Sequence, residues 1–323
     1  MCIRDRYNMP QNIIEYLREC AINKLFGITG FSNAFPIWKT QIIALTPSGT
    51  AHEYFNLGDS LKDIFFSTNT SAARSQSDVS GGGANWEGLV CWYLNFCNIG
   101  RRTVIIKHHK DLIPTPISDA ITVKYGTFPS NTESDLIAIT FPDKPEYSMD
   151  KDSITINDIH GNAVPTYKTR RSIKYNLLSI LDALVARDFN EIEIHIIQCK
   201  TNWNDNAQVP MLWDAVYAAD RYRNGITVGQ NGYSIRNLDM FTYSFATVPT
   251  VKPEKIKTDS VCVLRVRNLS GGNYWGLPSQ IGIADSLKEM LVRNLNSGHS
   301  SNHLTTIRSM LPALSTTYSY FNL

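Results

Sequence analysis

The chain has 323 residues, of which 43% are hydrophobic and 19% are charged. This is the composition of an ordinary folded protein, so it excludes wholesale intrinsic disorder. The formal net charge is +2 at pH 7. Such a charge neither demands nor excludes a polyanionic partner, because nucleic-acid binding depends on where the positive side chains lie.

Cysteine usage and hydropathy predict a soluble, cytoplasmic protein. None of the six cysteines forms a CxxC pair, and no Cys/His spacing suits zinc. The longest apolar run, at 89–97, is far shorter than the ~18 residues that a membrane span needs. The opening Met1–Arg6 resembles translated adapter sequence, so we expect that it is not native and that the true N-terminus is missing.

Hydrophobic periodicity predicts the elements of the first half of the chain. In chain order they are a helix at 10–25, a hairpin within 37–57, a flexible loop at 68–83, a helix at 84–96, strands at 103–107, 119–125 and 134–141, and an irregular stretch at 142–171 with a short strand at 153–156.

The second half shows the same alternation of helical and strand patterns. We predict a helix at 172–187, a strand at 191–200, a helix at 206–222, strands at 226–229, 239–247 and 260–268, a helix at 279–296 and a short final helix. There is no internal repeat. The pattern favours an α/β fold, with residues 1–80 as an N-terminal elaboration and 81–323 as one domain.

The strand predicted at 191–200 ends in two polar residues on one face. Side chains alternate along a strand, so Gln198 and Lys200 follow Ile196 on the same side. The two polar groups therefore emerge together at the end of an apolar strand. Taken alone, this pattern is more typical of a strand that runs out into solvent, because Gln-x-Lys occurs by chance in many proteins.

Two acidic residues lie upstream, one at the start of a strand, where a lone Asp is usually a turn or cap residue, and one in a helix. Asp135 begins the strongly apolar strand at 134–141, and Glu87 lies on the apolar face of its helix beside Val90, Cys91 and Leu94. A buried acid is costly unless it is paired or bound to a metal. The alternative for Glu87 is an acid stabilised by the helix dipole. Asp119, at the start of its own predicted strand, is a rival to Asp135.

In chain order, a helix Glu, a strand Asp and a strand Gln-x-Lys resemble the PD-(D/E)XK nuclease superfamily. The run from Ile197 to Lys200, followed by Asn202 and Trp203, is similar to the modification-dependent restriction nucleases of the Mrr type, in which Gln replaces the second acid. The resemblance covers roughly 84–269. It implies a restriction-endonuclease-like core, a central mixed β-sheet flanked by helices.

The resemblance also implies a site and a reaction. The catalytic residues would be Glu87, Asp135, Gln198 and Lys200, with Asp135, Gln198 and Glu87 as ligands of Mg²⁺, for which Mn²⁺ can substitute. Lys200 would hold the attacking hydroxide and stabilise the charge that develops on phosphorus. The implied activity is a DNA endonuclease of restriction or defence, acting on double-stranded DNA, with a homodimer left open.

Two features keep an alternative open. Ser134 stands where the motif has Pro, and the neutral Gln198 supplies less charge than an acid. The alternative is a non-catalytic nucleic-acid-binding or structural protein that keeps the nuclease fold. We expect the long separation between Asp135 and Gln198 to be an insertion that carries the helix at 172–187.

Overall fold

The computed structural model describes residues 11–68, 76–107, 109–130, 134–164, 176–201, 207–219, 225–248, 255–276 and 282–323. The Met1–Arg6 segment and the pair Asn202 and Trp203, which entered the sequence interpretation, lie outside these ranges.

In the described residues four helices come first, strands mixed with helices follow, and three helices come last. The helices are α1 (Ile13–Phe26), α2 (Thr29–Leu45), α3 (Ala51–Phe66), α4 (Gln76–Cys97), α5 (Thr115–Ile121), α6 (Pro145–Ser148), α7 (Leu177–Arg187), α8 (Gln208–Ala218), α9 (Val261–Val266), α10 (Leu287–Asn294) and α11 (His303–Met310). The strands are β1 (Thr103–Lys107), β2 (Val123–Tyr125), β3 (Phe128–Ser130), β4 (Leu136–Thr140), β5 (Glu193–Lys200), β6 (Ile226–Val228) and β7 (Met240–Thr247).

A mixed four-stranded sheet, in the order β1-β4-β5-β7, forms the centre of the fold. Strands β1 and β4 pair antiparallel, as do β4 and β5, whereas β5 and β7 run parallel. A parallel pair needs a crossover connection, and α8 lies in the chain between β5 and β7. A smaller sheet joins β3, β2 and β6.

Both faces of the central sheet are buried. Alternate residues of β4 divide between two cores, with Leu136 and Ala138 in one and Ile137 and Ile139 in the other. The first core is built with α2, α3, α4 and α10, and the second with α1, α5 and α7. Helices on both faces explain why β4 is almost entirely apolar rather than alternating, and why seven of the eight residues of β5 are buried.

Several sequence predictions are confirmed. Helices occupy most of 10–25, 84–96, 172–187 and 206–222 where the structure describes them, and strands occupy 103–107, 134–141, 191–200, 226–229 and 239–247 with small shifts at the ends. Helix α7 lies between β4 and β5, as expected for the insertion. The division of the chain at residue 80 stays a prediction.

The predicted hairpin at 37–57 is wrong, because this segment belongs to α2 and α3. The buried residues Phe31, Phe35, Trp38 and Ile42 recur at the helical period. The turn at 47–49 ends in a capping box, in which Thr50 and Glu53 bond each other's backbone amides at the start of α3. The apolar residues on both sides of the turn therefore recur at the helical period and not at the period of a strand.

Three further strand predictions need correction, and the reasons are local. Residues 119–121 complete α5, which has proline at its start, and only 123–125 form a strand. Residues 261–266 form α9, with Cys262, Val263 and Val266 buried at helical spacing. No strand forms at 153–156: a 3₁₀ turn, Lys151–Ser153, ends at its first residue, and 154–156 have no regular secondary structure. The predicted loop at 68–83 already contains the start of α4 at Gln76.

No helix in the described part of the chain is both long and apolar enough to cross a membrane.

Two glycines of α4 give opposite predictions for replacement by alanine. A Cβ atom at Gly88 would lie 2.5 Å from the ring of the buried Phe31, whereas one at Gly83 would meet nothing within 4 Å. We expect Gly88→Ala to lower the free energy of unfolding by about 1–3 kcal/mol through overpacking. Gly83→Ala should raise it by about 0.5–1 kcal/mol. Urea unfolding measures both, and equal effects would contradict the packing of α4 on α2.

Candidate functional site

The antiparallel register of β4 and β5 brings Asp135 and Gln198 together. Leu136 pairs with Ile197, so the residue before Leu136 lies beside the residue after Ile197. Lys107 pairs with Leu136 from the other side. The start of β4 therefore meets the ends of β1 and β5 at one edge of the sheet.

Three donors converge on a single carboxylate oxygen, Oδ2 of Asp135. Gln198 Nε2 donates to it at 2.7 Å, the backbone N–H of Cys199 at 2.8 Å and Lys200 Nζ at 3.4 Å. Three of the four residues predicted as catalytic are thus in direct contact. Within the described ranges no hydrogen bond to Oδ1 is found.

The amide of Gln198 is held at both ends. Its nitrogen donates to Asp135, and its oxygen accepts a hydrogen bond from the Tyr243 hydroxyl at 2.7 Å. Gln198 is 2% exposed and Tyr243 is fully buried. The carbonyl oxygen therefore faces Tyr243 and not Asp135.

Glu87, the fourth predicted residue, pairs with a lysine that the sequence interpretation did not include. Lys107 Nζ lies 2.8 Å from Glu87 Oε2 and also donates to the carbonyl oxygen of Ala84 at 2.8 Å. Lys107 thus links the side chain of Glu87 and the backbone of α4 at Ala84 to the end of β1. Glu87 lies close enough to Asp135 for the negative charge of Asp135 to raise the pKa of Glu87.

Burial dominates the electrostatics of both acids. Removal from water raises the pKa of Asp135, and the positive charge of Lys200 opposes this shift without cancelling it. Burial likewise raises the pKa of Glu87, opposed by Lys107 and reinforced by the charge of Asp135. A bound cation would relieve this cost, because it favours the ionised form of both groups.

The donor set suits a hard, oxygen-binding cation. Within the described residues no group of three His, Cys, Asp or Glu side chains is placed to hold a metal, so a cation here would rely on two carboxylates, an amide oxygen and water. Mg²⁺ characteristically binds through one or two carboxylates and keeps several waters. The residues fit this ion, provided that the Gln198 amide turns its oxygen towards Asp135.

Asp119, the rival acid, lies elsewhere in the fold. It is in α5, where it accepts hydrogen bonds from Gln230 Nε2 at 2.7 Å and from Asn231 Nδ2 at 3.0 Å. Asn231 has a positive φ of 51°, so Asp119 stabilises a tight turn after β6. None of its contacts reaches Gln198 or Lys200, and the structure therefore favours Asp135.

The sequence interpretation missed Lys107 and Tyr243. Lys107 ends an apolar strand, as Lys200 does, and that signal could have identified it, but its basic neighbours suggested a solvated surface. Tyr243 carried no such signal. Its position depends on the parallel register that sets it opposite Ile196, and a single sequence does not specify this register.

No protein-family model matches the chain, and a comparison with curated proteins finds no match.

The raised pKa values predict a pH dependence for the metal-free protein. Because the folded state holds these protons more tightly than the unfolded state, their contribution to stability is complete below the ordinary pKa values of Asp and Glu. It is lost as the pH rises through the raised values. In EDTA, ¹³C NMR of the side-chain carboxyl groups should give midpoints above the ordinary values for Asp135 and Glu87.

Glu53 is the internal control for this titration. Its carboxylate accepts a hydrogen bond from the backbone of Thr50, which lowers its pKa. Midpoints for Asp135 and Glu87 as low as that of Glu53 would contradict the burial of the site.

Proposed function

We propose that the protein is a metal-dependent DNA endonuclease with a restriction-endonuclease-like core. The observation that carries this proposal is the convergence of Gln198, Lys200 and Asp135, with Glu87 beside them, at one edge of a mixed sheet flanked by helices. These are the residues that the resemblance to the PD-(D/E)XK superfamily selects. Asp135 is 63 residues from Gln198 in the sequence, yet the fold brings Asp135 into contact with Gln198 and Lys200.

The charges at the site suit a phosphodiester substrate and a divalent cation together. Two acidic side chains, Asp135 and Glu87, lie beside two basic ones, Lys200 and Lys107. The carboxylates attract the cation, while the lysines attract the phosphate. All four side chains are between 17% and 26% exposed, so they are partly desolvated yet accessible, and electrostatic interactions here are stronger than in water.

The roles of the residues follow from their positions. A bound Mg²⁺ would polarise a phosphoryl oxygen and make a bound water more acidic. Asp135 and the amide oxygen of Gln198 would hold the ion, and Glu87 would complete the site directly or through water. Lys200 would lie against the attacking hydroxide and stabilise the charge that develops on phosphorus. Water oxygen joins phosphorus as a bridging P–O bond breaks, and the leaving oxygen gains a proton.

The free thiols support a reducing compartment. Cys91, Cys97, Cys199 and Cys262 are all buried, and no disulfide joins them to one another. This is typical of cysteines that serve as small apolar side chains in the cytoplasm, which is the location that we propose.

One observation favours a second candidate, a nucleic-acid-binding protein that does not cleave. The carbonyl oxygen of Gln198 faces Tyr243 rather than Asp135, so one proposed ligand is turned away from the ion. If that orientation is permanent, the site lacks a ligand and turnover is lost, whereas the lysines still attract phosphate. Cleavage of DNA separates the two candidates.

The proposal predicts that Lys200→Ala abolishes cleavage without unfolding the protein. The side chain is 26% exposed and its contact with Asp135 is long, at 3.4 Å, so its loss removes little core packing. We expect the rate of supercoiled plasmid cleavage in Mg²⁺ or Mn²⁺ to fall by about 100-fold or more, with EDTA defining the background.

Lys144→Ala is the matched control for the loss of an ion-paired lysine. Lys144 is 30% exposed and contacts Asp188 and Glu191, neither of which belongs to the site. This variant should cleave at the wild-type rate. A wild-type protein that binds DNA but leaves plasmid intact with either metal would support the non-catalytic candidate instead.

A further inference from the structure

The Tyr243 hydroxyl is the buried partner of the Gln198 amide. It donates to Gln198 Oε1 at 2.7 Å, while Gln198 Nε2 donates to Asp135 Oδ2 at the same distance. Tyr243 and Gln198 are both almost completely removed from water. A buried amide that loses either partner is left with an unsatisfied polar atom, which is costly. The orientation of this amide is therefore controlled by its two neighbours.

The present orientation is the one that a metal-free site requires. An ionised carboxylate accepts hydrogen bonds but cannot donate them, so Asp135 attracts the amide nitrogen and repels the carbonyl oxygen. A cation beside Asp135 reverses this preference, because it binds the oxygen and repels the N–H groups. The amide of Gln198 would then have to turn by about half a rotation about its last bond.

A tyrosine hydroxyl is suited to both orientations. It donates to the carbonyl oxygen when that oxygen faces away from Asp135, and it can accept from the amide nitrogen once the amide has turned. A phenylalanine could do neither. A lysine or arginine in this place could only donate, which would favour the metal-free orientation alone.

The fold holds the Tyr243 ring in place. Parallel pairing sets Tyr243 opposite Ile196 and on the same face as Gln198. Its backbone N–H donates to Ser270 Oγ at 2.7 Å, and its ring packs against Tyr217 with centroids 5.9 Å apart. The hydroxyl is thus a fixed point about which a more flexible glutamine can turn.

We propose that Tyr243 is the positioning residue for Gln198 and that its hydroxyl changes from hydrogen-bond donor to acceptor when a divalent cation binds beside Asp135. This inference rests on the proposed metal site. A carboxylate at position 198 would not need to turn when the ion binds, because its two oxygens are equivalent. A glutamine does need to turn, and the role of Tyr243 explains how this position can be a glutamine.

The test is ¹³C NMR of protein with label at the tyrosine Cζ atoms, whose shifts respond to the hydrogen bond of the attached hydroxyl. The spectrum of Tyr243→Phe identifies the Tyr243 signal by its absence. Titration of Mg²⁺ into the full chain should move this signal as the hydroxyl becomes an acceptor. In Gln198→Glu the hydroxyl donates to a carboxylate oxygen with or without the ion, so the movement should be much smaller.

Calorimetric titration of Mg²⁺ into the same proteins completes the design. Tyr243→Phe leaves one atom of the Gln198 amide unpaired in either orientation, so the melting temperature should fall both with and without Mg²⁺. Because both orientations are destabilised, the Mg²⁺ affinity of this variant should stay within about threefold of wild type. Affinity that rises about tenfold or more would contradict the inference, because the hydroxyl would then support only the metal-free orientation.

The remaining outcomes separate this inference from the proposed function. A wild-type chain that binds no Mg²⁺ contradicts both. Saturation by Mg²⁺ without movement of the Tyr243 signal, or with equal movement in Gln198→Glu, contradicts the role of Tyr243 and leaves the metal site standing. Should Tyr243→Phe fail to fold, Tyr243→Trp or a label introduced at this position alone identifies the signal.

Discussion

The antiparallel pairing of β4 with β5 is the constraint on which the site depends. It sets Leu136 against Ile197, and the next residues outward, Asp135 and Gln198, meet as a consequence. A shift of one residue would turn Gln198 and Lys200 to the other face of the sheet. The apolar side chains on both faces of β4 and β5 hold this register, because any shift would expose or misplace a full set of buried residues.

Protein groups, rather than solvent, stabilise the charged side chains at this edge of the sheet. Asp135 receives donors from its own neighbours on β5, and Glu87 is fixed by Lys107 at the end of β1. Burial still disfavours both anions and raises their pKa values. A pair of desolvated acids flanked by two lysines costs stability, and perturbed acids of this kind cluster at functional sites, although structural ion pairs also produce them.

The sequence predicted the central strands and the polar residues at their ends better than it predicted the periphery of the fold. Long apolar strands such as β4 and β5 carry an unambiguous pattern, and their polar ends identify Asp135, Gln198 and Lys200. By contrast, α2 and α9 are rich in residues that favour strands, so tertiary packing overrode local preference. Tyr243 and the direction of the Gln198 amide depend on strand pairing and hydrogen bonding between distant segments, which a single sequence does not display.

Calorimetric titration of Mn²⁺ into the wild-type protein and two matched aspartate variants tests the account most directly. Asp135 and Asp119 are both largely buried and both accept hydrogen bonds from side-chain amides. We predict one Mn²⁺ site in the wild type, unchanged affinity in Asp119→Asn, and affinity reduced about tenfold or more in Asp135→Asn, which deletes a charge from a hard-cation site. Mn²⁺ affinity that is unaffected by Asp135→Asn, or absent from the wild type, would contradict the assignment of this edge of the sheet as a metal centre.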